Sequence, residues 1–342
     1  MDNIAVVILN WNGLEFLKKF LGGVVRNTKI SGSSVWVVDN GSNDGSAEWV
    51  SDNFTSVKVI RFEENLGYAG GYARALEIID ARYFVLLNTD VEVSEGWLEP
   101  MYNLMEENPV VAACQPKILS QTERNRFEYA GAAGGYLDKH GYPFCRGRIM
   151  HFTETDNGQY ESPVRVMWAS GACLMVRNEA YRQAGGLDST FFAHMEEIDL
   201  CWRLYHHGNE CWSVPSSVVY HVGGGTLKYD SPGKTHLNFR NNLFMLYKNL
   251  PAKGFRRILL FRKVLDGVAA IMFLLRGKPR HFAAVISAHK DYYRARTRRI
   301  AERKRIAAAT GQQALPCHLM LNKSILYLFY IRGLRKFSDI SF

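Results

Sequence analysis

Asp90 closes Tyr83-Phe84-Val85-Leu86-Leu87-Asn88-Thr89-Asp90, an apolar run that drives into a short acidic turn. Such a run reads as a strand buried on both faces of a parallel sheet. Ligands bind at the C-terminal edge of these sheets, so a carboxylate there can hold a metal ion or a phosphate-linked ligand. It can equally cap a turn ahead of a helix opening near Gly96-Trp97-Leu98. Asp39 stands in the same position after Val35-Trp36-Val37-Val38, before a turn rich in Gly, Asn and Ser that holds Asp44. A carboxylate there can accept the imino hydrogen of a pyrimidine ring; the alternative is that Asp39 and Asp44 form side-chain-capped turns. Glu196, Glu197 and Asp199 precede an amphipathic run. At a helix start the dipole favours the charged carboxylate, which keeps a base ionised near neutral pH, although acids there also simply stabilise helices. His221 ends Val218-Val219-Tyr220 and precedes Gly223-Gly224-Gly225, which suits a metal or phosphate ligand as well as a structural imidazole.

The elements that must position these groups alternate. Ile4 to Leu9 reads as the first buried strand, ending in Asn10-Trp11-Asn12-Gly13, and Leu14, Leu17, Leu21 and Val24 share one helix face. Val35 to Val38, Val57 to Ile60 and Tyr83 to Leu87 are the next strands. This alternation predicts βαβ units and a mostly parallel α/β sheet flanked by helices, with each strand's polar end facing one cleft. Asn65-Leu66-Gly67-Tyr68-Ala69-Gly70-Gly71 can bring backbone amides to a phosphate or sugar, and Arg74 can project into the cleft. A dinucleotide-binding fold would carry Gly-x-Gly-x-x-Gly after the first strand, and Asn-Trp-Asn-Gly argues against it. Residues 120–165 predict loops and short strands across the cleft. Val166 to Val176, through Trp168, Ser170 and Gly171, reads as a further strand with small residues where a ligand comes close.

Composition divides the chain. Of its 342 residues, those from Pro251 onward carry 20 Lys and Arg against 4 Asp and Glu, which leaves 22 against 29 before it. An acidic body with a basic tail predicts a tail facing a polyanion. Ile258, Leu259, Phe261, Val264, Leu265 and Val268 interleave with Arg256, Arg257, Arg262 and Lys263, which predicts amphipathic basic helices suited to an anionic bilayer. Nucleic acid is not the expected partner, because these apolar faces are too large for phosphate contacts alone. A solvated basic helix packed on the body is the other reading. No apolar run reaches bilayer-spanning length, no signal peptide is visible, and the six cysteines lack Cys-x-x-Cys spacing, as expected of reduced thiols in a cytoplasmic protein.

Taken in order, the motifs resemble the inverting nucleotide-sugar glycosyltransferases of family 2 with the GT-A fold, in particular the bacterial rhamnosyltransferase-like branch. The resemblance rests on Val7 to Gly13, Val38 to Ser42, Asn65 to Gly71, Leu87 to Val91, Trp168 to Arg177, Phe191 to Arg203, His221 to Gly225 and Arg240-Asn241-Asn242. It implies a nucleotide-sugar-binding half over 1–119, an acceptor-binding and catalytic half over 120–250, and a basic helical region over 251–342. Asn10, Asn12, Asp39, Asn65, Gly70, Arg74, Asn88 and Asp90 would line the donor site, with Asp39 on the base of a UDP- or dTDP-sugar. Asp90 and His221 would hold a divalent metal, Mg2+ or Mn2+, on the donor diphosphate. Trp168 and Gly171 would face the acceptor, a lipid-linked glycan or polysaccharide. The family's Glu-Asp pair falls on Glu196-Glu197, which leaves open which of the two is the base, and Asn88 replaces the first acid of the family's Asp-x-Asp. These departures also allow a sugar-nucleotide-binding protein without catalysis. The expected location is cytoplasmic, peripheral on the inner face of the cytoplasmic membrane.

Overall fold

The computed structural model describes residues 2–223, 230–312 and 315–342. Its first half is built as the alternation predicts. In chain order it contains β1 (Asp2–Asn10), α1 (Leu14–Asn27), β2 (Ser33–Asn40), α2 (Ser46–Asn53), β3 (Val57–Phe62), α3 (Gly67–Ile78), β4 (Ala81–Asn88), β5 (Val91–Val93), α4 (Glu99–Glu107) and β6 (Val111–Ser120). β4 shows why these runs are strands. Its odd positions Tyr83, Val85 and Leu87 pack into one core with Leu17 and Leu21 of α1 and Met101 of α4. Its even positions Phe84 and Leu86 pack into the other with Ala69, Tyr72 and Leu76 of α3. Period-two alternation therefore serves two helical layers at once, and no polar residue fits between the strand's ends.

Past β6 come β7 (Gly135–Asp138), β8 (Pro143–Cys145), β9 (Arg148–Ile149), β10 (Phe152–Thr153), β11 (Val164–Arg165), β12 (Cys173–Arg177), α5 (Asn178–Gln183), α6 (Glu196–His206) and β13 (Glu210–His221). The main sheet runs β11-β13-β6-β12-β4-β1-β2-β3, with β5 also paired to β13. β1, β2, β3 and β4 pair in parallel, as do β6 and β13, while β12 lies antiparallel between β4 and β6. Register places Asn10 beside Asp39 and Leu9 beside Asn88, so these polar residues share one edge. The strand expected over 166–176 is shorter. Only Cys173–Arg177 pairs with β4, because Val166 to Ala169 turn into the core beneath the small sheet described next.

α7 (Pro232–Asn249) follows, and the tail then forms α8 (Phe255–Leu275), α9 (Pro279–Arg294), α10 (Arg296–Thr310), β14 (Met320–Leu321) and α11 (Ile325–Tyr330). β14 adds in parallel to β7 and completes a second sheet, β10-β9-β8-β7-β14. Asp138 fixes that junction, accepting hydrogen bonds from the amides of His140, Tyr142 and Ile325. Residues beyond 251 are thus woven into the fold of 120–165. Among the described residues, no helix is long and apolar enough to cross a membrane.

Candidate active site

The loops after β1 and β2 hold each other open through side chains. Asn10, fully buried, donates to Asp39 Oδ1 at 3.2 Å and to Ser46 Oγ at 2.7 Å. Asp39 Oδ2 accepts from the Ser42 amide at 3.2 Å. Asn12, at a left-handed φ of 52°, binds Ser42 through its amide and Asn43 through its side-chain oxygen, each at 2.9 Å. Asp44 accepts from the Leu14 amide at 2.9 Å, filling one of the orphan donors at the start of α1, so it is the turn-shaping acid rather than a ligand group. The result is a rigid concave edge with Asp39 at its floor.

Of the remaining expected donor residues, Asn88 lies at the end of β4 on the same edge, half-buried. Asn65 builds its own loop: its side-chain oxygen accepts from Asn40 at 3.0 Å and from the Gly67 amide at 2.8 Å. Gly70 has a packing role in the structure. A Cβ there would meet Leu66 at 3.2 Å and Ser189 at 3.7 Å, so its smallness serves the packing of α3 against the 189–191 turn. The start of α3 is likewise occupied, since the Ala69 amide donates to the Phe192 carbonyl at 3.0 Å. Arg74 is exposed beside the end of β3, with its guanidinium over the Phe62 ring at 5.6 Å. Trp168 is corrected by the structure. It is 4% exposed, packs flat on Gly135 and donates to the Tyr136 carbonyl at 3.0 Å, which makes it a core residue rather than an acceptor contact. Gly171 does face the site: its carbonyl accepts from Tyr68 Oη at 2.6 Å, and a Cβ would lie 2.8 Å from that oxygen.

Asp90 and His221 are brought together by β5 pairing with the end of β13, where Val91 opposes His221. His221 Nε2 lies 3.1 Å from Asp90 Oδ1, and Nδ1 lies 3.1 Å from Glu128 Oε2. Burial alone would favour the neutral ring. The two carboxylates outweigh it and push the imidazole up to about 10. Glu128, itself 5% exposed, is held below the usual carboxylate range, because the His221 hydrogen bond and charge overcome its burial. Gly224 and Gly225, which close the histidine motif, lie outside the described residues.

The Glu pair opens α6 from a strained turn. Phe192, His194 and Met195 have φ of 64°, 72° and 73°, a region costly for residues with a Cβ. Asn241 Nδ2 of α7 holds this turn, lying 2.8 Å from the carbonyl oxygens of Phe191, Ala193 and His194. Arg240 adds contacts to the Thr190 and Phe191 carbonyls. Glu196 is 4% exposed, and both Glu196 Oε2 and Glu197 Oε2 are buried with no hydrogen-bond partner. Here the sequence expectation fails. The helix dipole does not keep these acids ordinarily ionised. Burial raises Glu196 well above the carboxylate range, reinforced by the Glu197 charge, and pushes Glu197 up to about 7 despite backbone hydrogen bonds at Met195, Glu197 and Ile198. Two adjacent carboxyls, Glu196 buried and Glu197 half-buried, cannot both ionise cheaply, so one holds a proton for the other.

Four groups escaped the sequence reading. Tyr68 bridges Gly171 to the Glu pair; burial raises its phenol and the Glu196 and Glu197 charges raise it further. It stood inside a motif read only for its glycines. Asn241 stood in Arg240-Asn241-Asn242 with no role attached. Glu128 and Lys234 lay in segments without period. Lys234 is lowered by burial and opposed by Glu128, while the Lys234 charge, after burial, helps hold His194 down to about 4. A line of electrostatic neighbours therefore runs Asp90, His221, Glu128, Lys234, His194 and ends two residues before Glu196.

Residues 5–184 match the model of glycosyl transferase family 2. The chain is 28% identical over 224 residues to a pre-mycofactocin glycosyltransferase of Mycobacterium tuberculosis, covering 64% of this chain and 42% of that protein. It is 27% identical over 238 residues to the N-acetylglucosaminyl-diphospho-decaprenol L-rhamnosyltransferase of the same species, covering 64% of this chain and 76% of that one. Among solved structures, GalNAc-T7 with UDP, GalNAc and Mn2+ superposes with a TM-score of 0.58 at 16% identity over 75% of this chain and 49% of its own. Residues 1–349 of S. aureus TarS superpose with a TM-score of 0.57 at 14% identity, covering 91% and 87%. These solved structures share with the chain the GT-A arrangement of a mostly parallel sheet between helical layers. Matched over more than half its length, the chain belongs to glycosyl transferase family 2.

Proposed function

We propose that the chain is an inverting glycosyltransferase that moves a sugar from a UDP- or dTDP-sugar to a hydroxyl of a growing, lipid-linked cell-surface glycan. The observation that carries this reading is the Glu196-Glu197 pair at the start of α6, whose Oε2 atoms are buried without hydrogen-bond partners and whose charges act on Tyr68, the residue that binds the Gly171 carbonyl. Rhamnose is the donor sugar suggested by a relative's name.

In a single displacement, an acceptor oxygen bonds to the anomeric carbon as the bond to the diphosphate breaks, and the hydroxyl proton needs a base. Glu197 takes that proton, being the less enclosed of the two raised carboxyls, with Glu196 only 4% exposed behind it. A base poised near working pH is both largely available and a competent proton acceptor. Asp39 receives the pyrimidine imino hydrogen, and Asn10 and Ser42 hold it for that task. Among the described residues no cluster of three or more His, Cys, Asp and Glu is arranged around a metal. A carboxylate and an imidazole 3.1 Å apart nevertheless fit Mg2+ or Mn2+, which complete their shells with water and substrate phosphates. Asp90, with His221 deprotonated, would hold the ion, whose charge would stabilise the leaving diphosphate. The Mn2+ in GalNAc-T7 supports this assignment. The product would leave as a nucleoside diphosphate at the cytoplasmic face of the membrane.

The test is a turnover screen of UDP- and dTDP-sugars with Mg2+ or Mn2+. Donor hydrolysis or transfer that requires the ion and is lost in Asp90→Ala is the expected result. Tight nucleotide binding without turnover in any donor–acceptor pair overturns the reading and leaves a binding protein.

A further inference from the structure

The basic tail does not present its charge where the sequence suggests. α10 holds the densest run of arginines, of which Arg299 and Arg303 turn to the body while Arg296, Arg298 and Arg305 are exposed. Arg299 is 1% exposed, pairs with Asp188 and Glu302 and stacks over Phe244 at 3.8 Å. Arg303 donates to the Tyr247 carbonyl and Arg298 pairs with Glu302. No large apolar side chain of α10 is exposed. α9 buries Ala284, Val285, Ala288 and Tyr292.

α8 is the opposite case. Leu260, Phe261, Val264, Val268, Ile271 and Leu275 are all exposed, Leu260 at 65% and Leu275 at 80%. Their spacing of three and four residues sets them on one face for roughly 22 Å of helix. The charges within that span are turned away. Arg262 and Asp266 pair with each other in the interior, and Lys263 reaches sideways to Tyr293 Oη at 3.0 Å. The face ends in exposed cations on both sides, Lys253, Arg256 and Arg257 before it and Arg276 and Arg280 after it, and α8 exposes no acid. Beside it, Gly267, Ala270, Val285 and Ile286 line an apolar groove of about 300 Å³ between α8 and α9, with Lys263 and Lys290 at its walls.

We infer that the outward face of α8 is the surface by which the protein docks in plane on an anionic bilayer, with the α8/α9 groove open to an acyl chain. An apolar stripe with cations at both ends matches a headgroup layer above hydrocarbon. A second copy fits worse. Two-fold pairing of the stripe with itself sets cations against cations in either sense, like ends together when the helices run parallel and Arg256 and Arg257 against Arg276 and Arg280 of the other copy when they run antiparallel. The inference draws its purpose from the proposed membrane-linked acceptor, but it is read by a different measurement.

The experiment is flotation of the full chain with vesicles of phosphatidylglycerol and phosphatidylcholine, alongside light scattering and turnover of a water-soluble acceptor. Wild type is expected to float and to float less on pure phosphatidylcholine. Val264→Ser/Ile271→Ser is expected to weaken binding by on the order of tenfold per side chain, with the melting temperature and soluble-acceptor turnover unchanged. Arg296→Ala/Lys304→Ala on α10 is expected to float like wild type. Leu275→Ser alone, at the open end of the helix, gives the same direction if the double variant melts early. Unchanged flotation of the α8 variants overturns the inference, as does a wild type that stays off vesicles or an α8 variant whose only change is from dimer to monomer. Failed turnover with intact flotation would instead count against the glycosyltransferase reading.

Discussion

Replacing Glu197 with glutamine removes the charge that the folded protein holds least comfortably. The carboxyl is raised from 4.5 to about 7, chiefly by burial, so the native state binds a proton that the unfolded chain has already released. Its contribution to stability is complete below about pH 4.5, fades as pH rises to about 7 and stays lost above that. At about 1.4 kcal/mol per pH unit the full loss is about 3 kcal/mol, and partial exposure and coupling to Glu196 bring it to roughly 1–3 kcal/mol. Glu197→Gln keeps the shape and cannot lose that proton. The variant is therefore expected to match wild type in urea unfolding at pH 4.5 and to exceed it by roughly 1–3 kcal/mol at pH 8. Turnover should fall by at least about a hundredfold, since general-base catalysis contributes on that order. The wild-type profile of kcat/KM should show an acid limb near 7, where the base loses its proton as pH falls. Equal stability increments at the two pH values would refute the assignment of a dry, raised carboxylate. An active Glu197→Gln would refute its role as the base.

Two further substitutions test how the site is held. Asn241→Ala withdraws the amide that lies 2.8 Å from three carbonyls of the strained turn before Glu196. It should lower kcat by roughly tenfold to a hundredfold while leaving donor KM unchanged, because the turn it holds carries the Glu pair and not Asn10, Asp39 or Asp90; a matching rise in KM would count against the positioning role. Lys248→Met leaves Asp188 and the fully buried Asp199 without the ammonium that lies 2.6 and 3.0 Å from them. Such a break should cost about 3–5 kcal/mol in urea unfolding. Asp199 is buried, yet Arg203 and Lys248 hold its carboxyl below the usual range, so the stability it contributes is present above about pH 4 and lost as pH falls. Acid unfolding of Lys248→Met should accordingly begin at a higher pH than in wild type.

The strand ends were legible because burial on both faces leaves an unbroken apolar run, and a polar residue can enter only where the run stops. That logic places Asn10, Asn88 and His221 at strand ends, Asp39 one residue before one and Asp90 just past one, where the structure has them. It failed at Trp168, whose apolar neighbours look like a strand but pack under a sheet completed by β14, some 150 residues on in the sequence. Glu128 was invisible for a similar reason. Its place beside His221 depends on the Leu119–Phe127 bridge and the end of β13, pairings that no local period encodes. The acids of α6 were placed correctly and read wrongly. A helix dipole contributes about 0.3–1 kcal/mol at a surface, whereas closing the 189–195 turn over the helix start buries Glu196 and half-buries Glu197, and desolvation wins.

The charge split between body and tail has a second meaning once the chain is folded. Asp188 and Asp199 flank the Glu pair in sequence, and their cations arrive from α7 and α10: Lys248 on both, Arg299 on Asp188. Arg299 also donates to Thr190, in the turn that Asn241 and Arg240 clamp. The far side of the catalytic turn is thus closed by the tail, so part of the tail's positive charge answers acids of the body. A chain cut at 250 would keep Lys248 but lose Arg299 from Asp188 and Thr190, and with it the closure over the start of α6. The match to the family model ends at residue 184, so the proposed base at the start of α6 and the residues that hold its turn lie beyond the matched segment.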